Sequence, residues 1–315
     1  MEDCLVYFFT GFLDGGKTTT IGEWATNDAF RGRKIVILTT EEGEVEYDDI
    51  EFLEPKPIII EKEVGEINKE LMFDIELNHK PDVIFIEWNG SVSPGKFFDE
   101  VDVPERWALA AAVVVNNAVT YSEYYKNMQT FFADYYRYCD TAVFNRVDPE
   151  VNNIPKLRGS VKSVNPGINL TFLDKEGQML DIGNFLPYDL SKDECEIVPD
   201  DFGLFWTDAL DNVARYNGKK IKITGQAMVY REFKGKAFAI QRQAYTCCSA
   251  DIGQITLLCF YDVKPNFPVG QWLNVTGTVR YFQDQQNGQK FDVPCLQVEE
   301  YAITSKPENE IIYFS

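Results

Sequence analysis

The stretch Gly11-Phe12-Leu13-Asp14-Gly15-Gly16-Lys17-Thr18-Thr19-Thr20 decides the fold. It follows an apolar run at residues 5–9 and precedes a segment of helical character at residues 21–30. A strand, a glycine-rich turn and a helix in this order form a phosphate cradle. Backbone N–H groups converge there on an anion, at the positive end of the helix dipole. The stretch therefore predicts a nucleotide-binding P-loop.

The pattern G-x4-G-K-T assigns a role to each position of the P-loop. Lys17 would reach the β- and γ-phosphates, and the Thr18 hydroxyl would ligate Mg²⁺. Asp14 would hold a Mg²⁺-bound water, with an outward, solvated position as the equal alternative. An unrelated glycine turn would leave the adjacent Lys17 and Thr18 unexplained. The predicted phosphate-binding set is Gly11, Asp14, Gly15, Gly16, Lys17, Thr18 and Thr19.

The net charge of −20 is unevenly distributed. Residues 1–200 hold 38 acidic and 18 basic side chains, whereas residues 201–315 hold 12 of each. An acidic surface repels nucleic acid and anionic lipid. We therefore predict no nucleic-acid partner, and a protein that handles cations or binds basic partners; simple solubility is the commoner reason for such a charge.

The seven cysteines are scattered, and their number is odd. No secretory signal is expected before Cys4, because the P-loop begins a few residues later. No apolar run approaches the ~20 residues that span a bilayer. These features predict a cytoplasmic protein with reduced thiols and no direct membrane insertion.

Apolar strands alternate with amphipathic helices as far as residue 175. The strands are predicted at 34–39, 58–60, 82–87, 109–115, 141–145 and 168–173. This alternation is typical of an α/β P-loop NTPase, whose mostly parallel sheet has helices on both faces. The P-loop, an acidic stretch at 41–54, Glu87 and Asn145 all follow strand ends, so they are expected to meet at one edge of the sheet.

The pattern changes after a predicted linker at residues 176–205. Alternating strands are predicted at 219–230, 236–246, 254–261, 271–281 and 290–303. Five short strands favour a small antiparallel barrel of OB type. We therefore predict a P-loop GTPase domain at 1–175 and a β-rich, OB-like domain at 206–315.

The sequence Asn145-Arg146-Val147-Asp148 approaches the guanine-reading motif N-K-x-D. The Asp148 carboxylate would accept hydrogen bonds from N1–H and the 2-amino group of guanine, whereas adenine would leave it unpaired. Asn145 would hold the loop, and the stem of Arg146 would pack along the base. A turn before a helix that starts at Pro149 is a compatible alternative. Asn165 lies where a last base-contacting loop is expected. Together with the P-loop, this motif predicts GTP and GDP as ligands.

The first 175 residues resemble the CobW-like GTPases of the CobW/HypB/UreG group. Residues 11–19 are similar to the P-loop of that family, and residues 40–48, TEEGEVEYD, resemble its switch segment N-E-F-G-E-V-G-I-D. Glu87-Trp88-Asn89-Gly90 matches its E-x-x-G sequence. Three motifs in the right order make the resemblance specific.

This resemblance implies that Glu41 and Glu87 lie beside Mg²⁺ and the γ-phosphate. Carboxylates next to a triphosphate repel it unless a metal ion lies between them. The predicted catalytic residues are Lys17, Glu41 and Glu87, and the predicted Mg²⁺ ligands are Thr18, Glu41 and Glu87. The acidic stretch would be a switch ordered by nucleotide, although a solvated loop is the favoured interpretation for most of its eight acids, with Glu41 as the exception.

The metal motif of the family, C-x-C-C, is missing from this chain. At its expected position, residues 58–64 read IIIEKEV, and the chain has a single histidine, His79. The metallochaperone role that the resemblance implies therefore lacks its usual metal site.

The C-terminal domain resembles that of the YcgQ-like permease-subunit family, through residues 218–220, 246–251 and 275–279. Cys247 and Cys248 are candidate zinc ligands, and Asp251 could add an oxygen. Adjacent residues of a strand point to opposite faces, and free cysteines are usually buried. Core packing is therefore the favoured alternative for this pair.

Two hypotheses follow. The first is a Mg²⁺-dependent GTPase that acts in metal allocation or metal-cofactor maturation for a metalloprotein client. Its turnover is expected to be slow, because the sequence shows neither an arginine finger nor a water-orienting glutamine. The second is a regulatory module, switched by nucleotide, that docks on a membrane permease or another protein. An exposed part of the aromatic helix predicted at 120–138 would serve as the face of a homodimer.

Overall fold

The computed structural model describes residues 3–41, 45–165, 167–181, 185–229, 236–245, 252–261, 266–286 and 289–312. The chain forms two compact units. One contains Met1–Asn153 and Gly167–Ile182, and the other contains Ile154–Pro166 and Gly183–Ser315. We call them the N-terminal and the C-terminal unit.

The N-terminal unit is built on a parallel sheet of seven strands in the order β3-β2-β4-β1-β5-β6-β7. Each of its strand pairings is parallel, which confirms the predicted fold class. The apolar runs that predict these strands are buried in the sheet. The strands are β1 Cys4–Thr10, β2 Ile35–Thr39, β3 Ile58–Glu61, β4 Val83–Glu87, β5 Trp107–Asn117, β6 Thr141–Asn145 and β7 Asn169–Phe172.

The α-helices described within the N-terminal unit are α1 Lys17–Ala25, α2 Lys69–His79, α3 Gly95–Phe98 and α4 Tyr121–Tyr138. The aromatic helix α4 is kinked at Met128, where the backbone leaves helical geometry. Most of its aromatic side chains are buried, as expected of a helix that covers a sheet. Tyr124, Met128 and Phe131 are about 40% exposed. Core packing therefore accounts for most of this helix.

The carboxyl ends of the central strands carry the predicted site. The P-loop follows β1, and Thr40 and Glu41 follow β2. Glu87 ends β4 and Asn145 ends β6. Because neighbouring parallel strands end at the same edge, the sheet itself brings these residues together.

The C-terminal unit contains a closed ring of five strands, in which β9 pairs with both β10 and β12. The sequence predicts an antiparallel barrel, but β11 and β13 pair in parallel. An odd number of strands cannot alternate in direction all the way round a ring, so one neighbouring pair has to be parallel. The strands of this unit are β8 Cys195–Ile197, β9 Lys220–Met228, β10 Ala237–Tyr245, β11 Ile252–Phe260, β12 Trp272–Gln286, β13 Gln289–Ile303 and β14 Ile311–Ile312.

The helices of the C-terminal unit are α5 Ile154–Lys162, α6 Phe202–Asp211 and α7 Val213–Tyr216. The buried carboxylate of Asp208 joins them, because it accepts hydrogen bonds from Arg158 and Arg215. Within the predicted linker, residues 195–197 form β8, which pairs with β9 and buries two apolar side chains. Part of the predicted linker therefore belongs to the core of this unit.

Candidate functional site

The P-loop makes a tight turn between β1 and α1. Gly11 and Gly16 have φ values of 131° and 90°, which favour glycine. A Cβ at Gly11 would lie 2.2 Å from the carbonyl oxygen of Val115, and one at Gly15 would lie 2.7 Å from that of Phe12. The backbone geometry thus requires these glycines, and the turn leads directly into the N-terminus of α1.

The ammonium group of Lys17, at the start of α1, has three partners. It donates to the carbonyl oxygens of Gly11 at 2.8 Å and Phe12 at 3.0 Å. It also pairs with Oε2 of Glu41 at 2.9 Å, and both side chains are less than 10% exposed. The two carbonyl oxygens use two of the three N–H donors of the ammonium group, whereas Glu41 Oε2 accepts no hydrogen bond within the described residues and contacts Lys17 as an ion pair. A phosphate oxygen at Lys17 would therefore compete with the Glu41 carboxylate for the ammonium group.

The Glu87 carboxylate is the hub of the site. Its Oε1 accepts a hydrogen bond from Thr18 at 2.8 Å. Its Oε2 lies 2.6 Å from the Tyr47 hydroxyl and 3.1 Å from Oγ1 of Thr39. Glu87 is 3% exposed, so these hydrogen bonds take the place of water around a buried charge. The hub joins α1, the end of β2 and the predicted switch segment.

A cavity of about 660 Å³ opens beside this hub. Lys62 is the single cationic side chain among its described lining residues, and it pairs with Glu66 at 3.1 Å. The predicted switch thus faces a strongly negative space, which favours cations. The acidic lining residues are Glu41, Glu46, Asp48, Glu61, Glu63, Glu66 and Glu87.

The glycine of the E-x-x-G sequence, Gly90, touches the P-loop. A Cβ at Gly90 would lie 2.0 Å from the carbonyl oxygen of Gly11. On its other side, the Gly90 carbonyl oxygen accepts a hydrogen bond from the Tyr135 hydroxyl. Gly90 is therefore held between α4 and the P-loop, with no room for a side chain.

Replacing Gly90 with alanine is expected to displace the P-loop and to lower the free energy of unfolding by about 1–3 kcal/mol, the usual cost of overpacking. Urea unfolding and nucleotide titration would measure both effects. Gly65→Ala is the matched control, because nothing lies within 4 Å of a Cβ at Gly65. Equal behaviour of the two variants would contradict the close approach at Gly90.

The loop after β6 also contacts the P-loop. Asn145 Nδ2 donates to the carbonyl oxygen of Gly15 at 2.7 Å, and Arg146 Nη1 donates to that of Asp14 at 3.2 Å. Arg146 and Asp14 both have positive φ, 53° and 59°. The side chain of Arg146 lines a cavity together with Lys17. The predicted base-binding and phosphate-binding loops are thus joined by hydrogen bonds.

The carboxylate of Asp148 has two partners. Oδ2 pairs with Lys175 at 2.8 Å, and Oδ1 accepts a hydrogen bond from the backbone N–H of Glu150 at 3.1 Å. The hydrogen bond from Lys175, followed by the one from Glu150, lowers the pKa of Asp148 below its ordinary value. The group is therefore an anion at neutral pH. It is partly exposed, so a ligand can reach it.

The remaining predicted site residues are less informative. Thr19 lies in the first turn of α1 and is exposed. Asn165 lies between α5 and β7, before the amino end of that strand, and its backbone N–H bonds to the Val161 carbonyl oxygen at 3.0 Å. Its role in base binding stays a prediction. Cys247, Cys248 and Asp251 lie outside the described residues, so the structure does not test the zinc prediction.

Three residues of the site were missed by the sequence analysis. Tyr47 lies inside the acidic stretch, and the surrounding sequence does not indicate a role for its hydroxyl. Thr39 is the last residue of β2, and a polar residue at the end of an apolar strand is a weak indication of a site. Lys175 follows β7, the last strand of the sheet. The carboxyl end of that strand is the signal that could have identified it.

The donors around Lys17 fit a magnesium ion next to a nucleotide. Thr18 and Glu87 offer a hydroxyl and a carboxylate at the N-terminus of α1, and Mg²⁺ prefers oxygen ligands, usually one or two carboxylates together with phosphate and water. In the described part of the chain, no group of three or more His, Cys, Asp or Glu side chains is arranged to hold a metal ion. Across the same residues, no helix combines the length and the apolar character needed to cross a membrane.

Comparison with known families divides the chain in two. Residues 5–172 match the family model described as CobW/HypB/UreG, nucleotide-binding domain. Residues 174–314 match the DUF1980 C-terminal domain. These matches bear out the two resemblances found in the sequence. The comparison with curated protein sequences gave no significant match.

Several solved structures match this chain at low similarity. A zinc-bound triple mutant of the YjiA GTPase is 16% identical, with 95% of this chain and 96% of that chain covered and a TM-score of 0.44. The hydrogenase maturation factor HypB from Archaeoglobus fulgidus is 16% identical over 56% and 84% of the two chains, with a TM-score of 0.40. A small single-stranded DNA-binding protein from Streptomyces coelicolor is 14% identical over 28% and 95%, with a TM-score of 0.20. At these scores the likenesses carry no argument about function.

Proposed function

We propose a function from the premise that this chain belongs to the CobW/HypB/UreG family of nucleotide-binding domains: it binds GTP with Mg²⁺, hydrolyses it slowly and acts in metal allocation or metal-cofactor maturation. The observation that carries the proposal is the position of Lys17. Its ammonium group lies at the N-terminus of α1, in a glycine turn that would accept phosphates.

The chemistry of hydrolysis requires charge stabilisation more than covalent participation. Lys17 and the backbone N–H groups of residues 16–18 would stabilise the negative charge that develops on the phosphate oxygens. Thr18 and Glu87 would hold Mg²⁺, with Glu41 close to them. When bound, this ion neutralises charge on the β- and γ-phosphates. We expect slow turnover, since hydrolysis by this class is fast only when an arginine and a water-orienting group complete the site.

Base selection is assigned to Asp148. Its carboxylate is an anion, and hydrogen bonds from Lys175 and the Glu150 backbone hold it in place. Guanine presents two neighbouring N–H donors that match a carboxylate, whereas adenine does not. Asn145 and Arg146 support this assignment, because they fix the base loop against the P-loop.

A GTPase assay tests the proposal most directly. The purified full chain is incubated with GTP or ATP, in Mg²⁺ or in EDTA, and phosphate release is followed over hours. We expect slow release from GTP in Mg²⁺ and little from ATP. Release that is equal for both nucleotides, or none with GTP, would count against the proposed activity.

The role in metal allocation has a separate test. Zinc bound through Cys247 and Cys248 should reach one ion per chain, be lost in Cys247→Ser and change in affinity when GTP is added. Calorimetric zinc titration of both proteins measures this, with the buried Cys259→Ser as the matched control, because Cys259 lies inside the barrel core. Identical titrations of wild type and Cys247→Ser would contradict the zinc site.

The second candidate function is a regulatory binding module, in which nucleotide sets the state of the C-terminal unit and that unit docks on a permease or another protein. The self-contained barrel, with its own buried core, favours this alternative. Capture of a defined partner that depends on GTP, without any response to metal, would favour it over metal allocation. A homodimer formed through the exposed side chains of α4 remains part of either proposal and is tested by sedimentation with and without GTP.

A further inference from the structure

The hydroxyl of Tyr47 makes the shortest of the hydrogen bonds to Glu87, at 2.6 Å. Both residues are buried, at 8% and 3% exposure. Tyr47 begins a short 3-10 turn, Tyr47–Asp49, within the predicted switch segment. Glu87 ends the central strand β4. A buried hydrogen bond to an ionised carboxylate is about twice as strong as a neutral one, so this contact ties the segment firmly to the sheet.

We propose that Tyr47 is a positioning residue that orients the Glu87 carboxylate for Mg²⁺ and so makes the order of the switch segment depend on the metal site. The inference rests on the proposed binding of GTP with Mg²⁺. Tyr47 itself touches neither nucleotide nor metal in this assignment, and it acts through Glu87.

The distribution of donors around Glu87 supports this role. Thr18 serves Oε1 and would turn to the metal when nucleotide binds, which frees that oxygen. Thr39 and Tyr47 both donate hydrogen bonds to Oε2 of Glu87. Thr39 has one hydroxyl proton but two acceptors, Oε2 of Glu87 at 3.1 Å and the Glu41 carbonyl oxygen at 2.9 Å. Among the described residues, Tyr47 is therefore the donor to Oε2 that has no second acceptor.

The Tyr47 hydroxyl can be removed without disturbing the packing of its ring. The ring packs in the same apolar cluster as Ile21 and Ile37, so a phenylalanine would keep these contacts and lose only the hydroxyl.

The contact also departs from the family motif. In the switch motif that residues 40–48 resemble, isoleucine stands where this chain has Tyr47, and isoleucine has no donor. The neighbouring Glu41 lies 2.9 Å from Lys17. The predicted switch segment therefore contacts the P-loop lysine through Glu41 and contacts Glu87 through Tyr47.

The variant Tyr47→Phe tests the inference in the full-length protein. We expect affinity for a non-hydrolysable GTP analogue to be unchanged in EDTA. In Mg²⁺ we expect it to fall about tenfold, the usual worth of a hydrogen bond to a charged group. Limited proteolysis of residues 41–49 should show protection by the analogue with Mg²⁺ in wild type and not in the variant. Tyr281→Phe, which removes a hydroxyl bonded to the Ala209 carbonyl oxygen in the C-terminal unit, is the control.

Each outcome is decisive. Equal affinities of wild type and Tyr47→Phe in Mg²⁺ would overturn the inference, as would an equal loss with and without Mg²⁺, which indicates a merely structural residue. If Tyr47→Phe does not fold, Tyr47→Ile provides the same comparison with the residue of the motif. Failure of the wild type to bind GTP would instead reject the proposed function, so the two failures are distinguishable.

Discussion

Lys17→Ala is expected to lower the rate of GTP hydrolysis by about two to three orders of magnitude, the usual cost of losing one donor to developing negative charge. The ammonium group lies at the start of α1, where the dipole of the helix and the glycine turn also favour an anion. No other cation in the described residues contacts the P-loop carbonyl oxygens of Gly11 and Phe12. Single-turnover phosphate release at saturating GTP isolates this effect from binding.

The Lys17→Ala variant needs two controls. Lys69→Ala removes a lysine that pairs with Asp102 on an exposed surface, and its hydrolysis should equal that of wild type. Lys17→Ala also leaves Glu41 buried without its partner, which by itself destabilises the fold. The double variant Lys17→Ala/Glu41→Gln removes this charge, so its melting temperature should recover while hydrolysis stays low. Wild-type hydrolysis in Lys17→Ala would reject the GTPase proposal.

The architecture was predictable because it depends on local patterns. The strand expected at 141–145 has the bounds Thr141–Asn145, and the helix expected at 120–138 is Tyr121–Tyr138. A short window of sequence is enough to show the apolar run of a buried strand or the 3.6-residue period of a helix. The helix expected from Pro149 was wrong in its start, since α5 begins at Ile154.

The late start of α5 has a local cause. Asn152 Oδ1 accepts a hydrogen bond from the Asp148 backbone N–H at 2.8 Å, and Asn152 Nδ2 donates to the Ala118 carbonyl oxygen at 3.0 Å. These contacts hold residues 148–152 in a turn that stiffens the base loop. An asparagine can make such bonds only when the strand beside it is in place, so propensity alone did not reveal them.

The pairs that define the candidate site were not predictable from sequence. Tyr47 and Glu87 are 40 residues apart, and Asp148 and Lys175 are 27 apart. Each pair forms because two strand ends or loops meet at one edge of the sheet, and no local pattern encodes which side chains meet. The motifs predicted Lys17, Glu87 and Asp148 as residues of the site. The residues that pair with them, Glu41, Tyr47 and Lys175, are known only from the structure.

Asp148→Asn is expected to lower GTP affinity about 100-fold or more and to raise affinity for xanthosine triphosphate. Guanine donates from N1–H and its 2-amino group to the carboxylate, and a site whose polar group pairs with a group of the ligand rejects, by large factors, an analogue that lacks it. Xanthine carries a 2-oxo group in place of the amino group. An asparagine amide can donate to this oxygen while its own oxygen accepts from N1–H, so the preference should invert. Calorimetry with GTP, ATP and xanthosine triphosphate measures the ratios.

The ion pair between Asp148 and Lys175 affects how a base can bind to Asp148. Lys175 occupies Oδ2 of Asp148, so a base has to displace it or share the oxygen. The Lys175 side chain is 61% exposed, and such surface pairs are weak. Lys175→Ala should therefore change GTP affinity slightly and leave the preference over ATP intact. Glu150→Gln, which removes an exposed charge beside the loop, should behave like wild type. Equal binding of GTP and ATP by the wild type, or an Asp148→Asn variant that keeps its GTP preference, would remove Asp148 from base selection and leave the P-loop as a site for any nucleoside triphosphate.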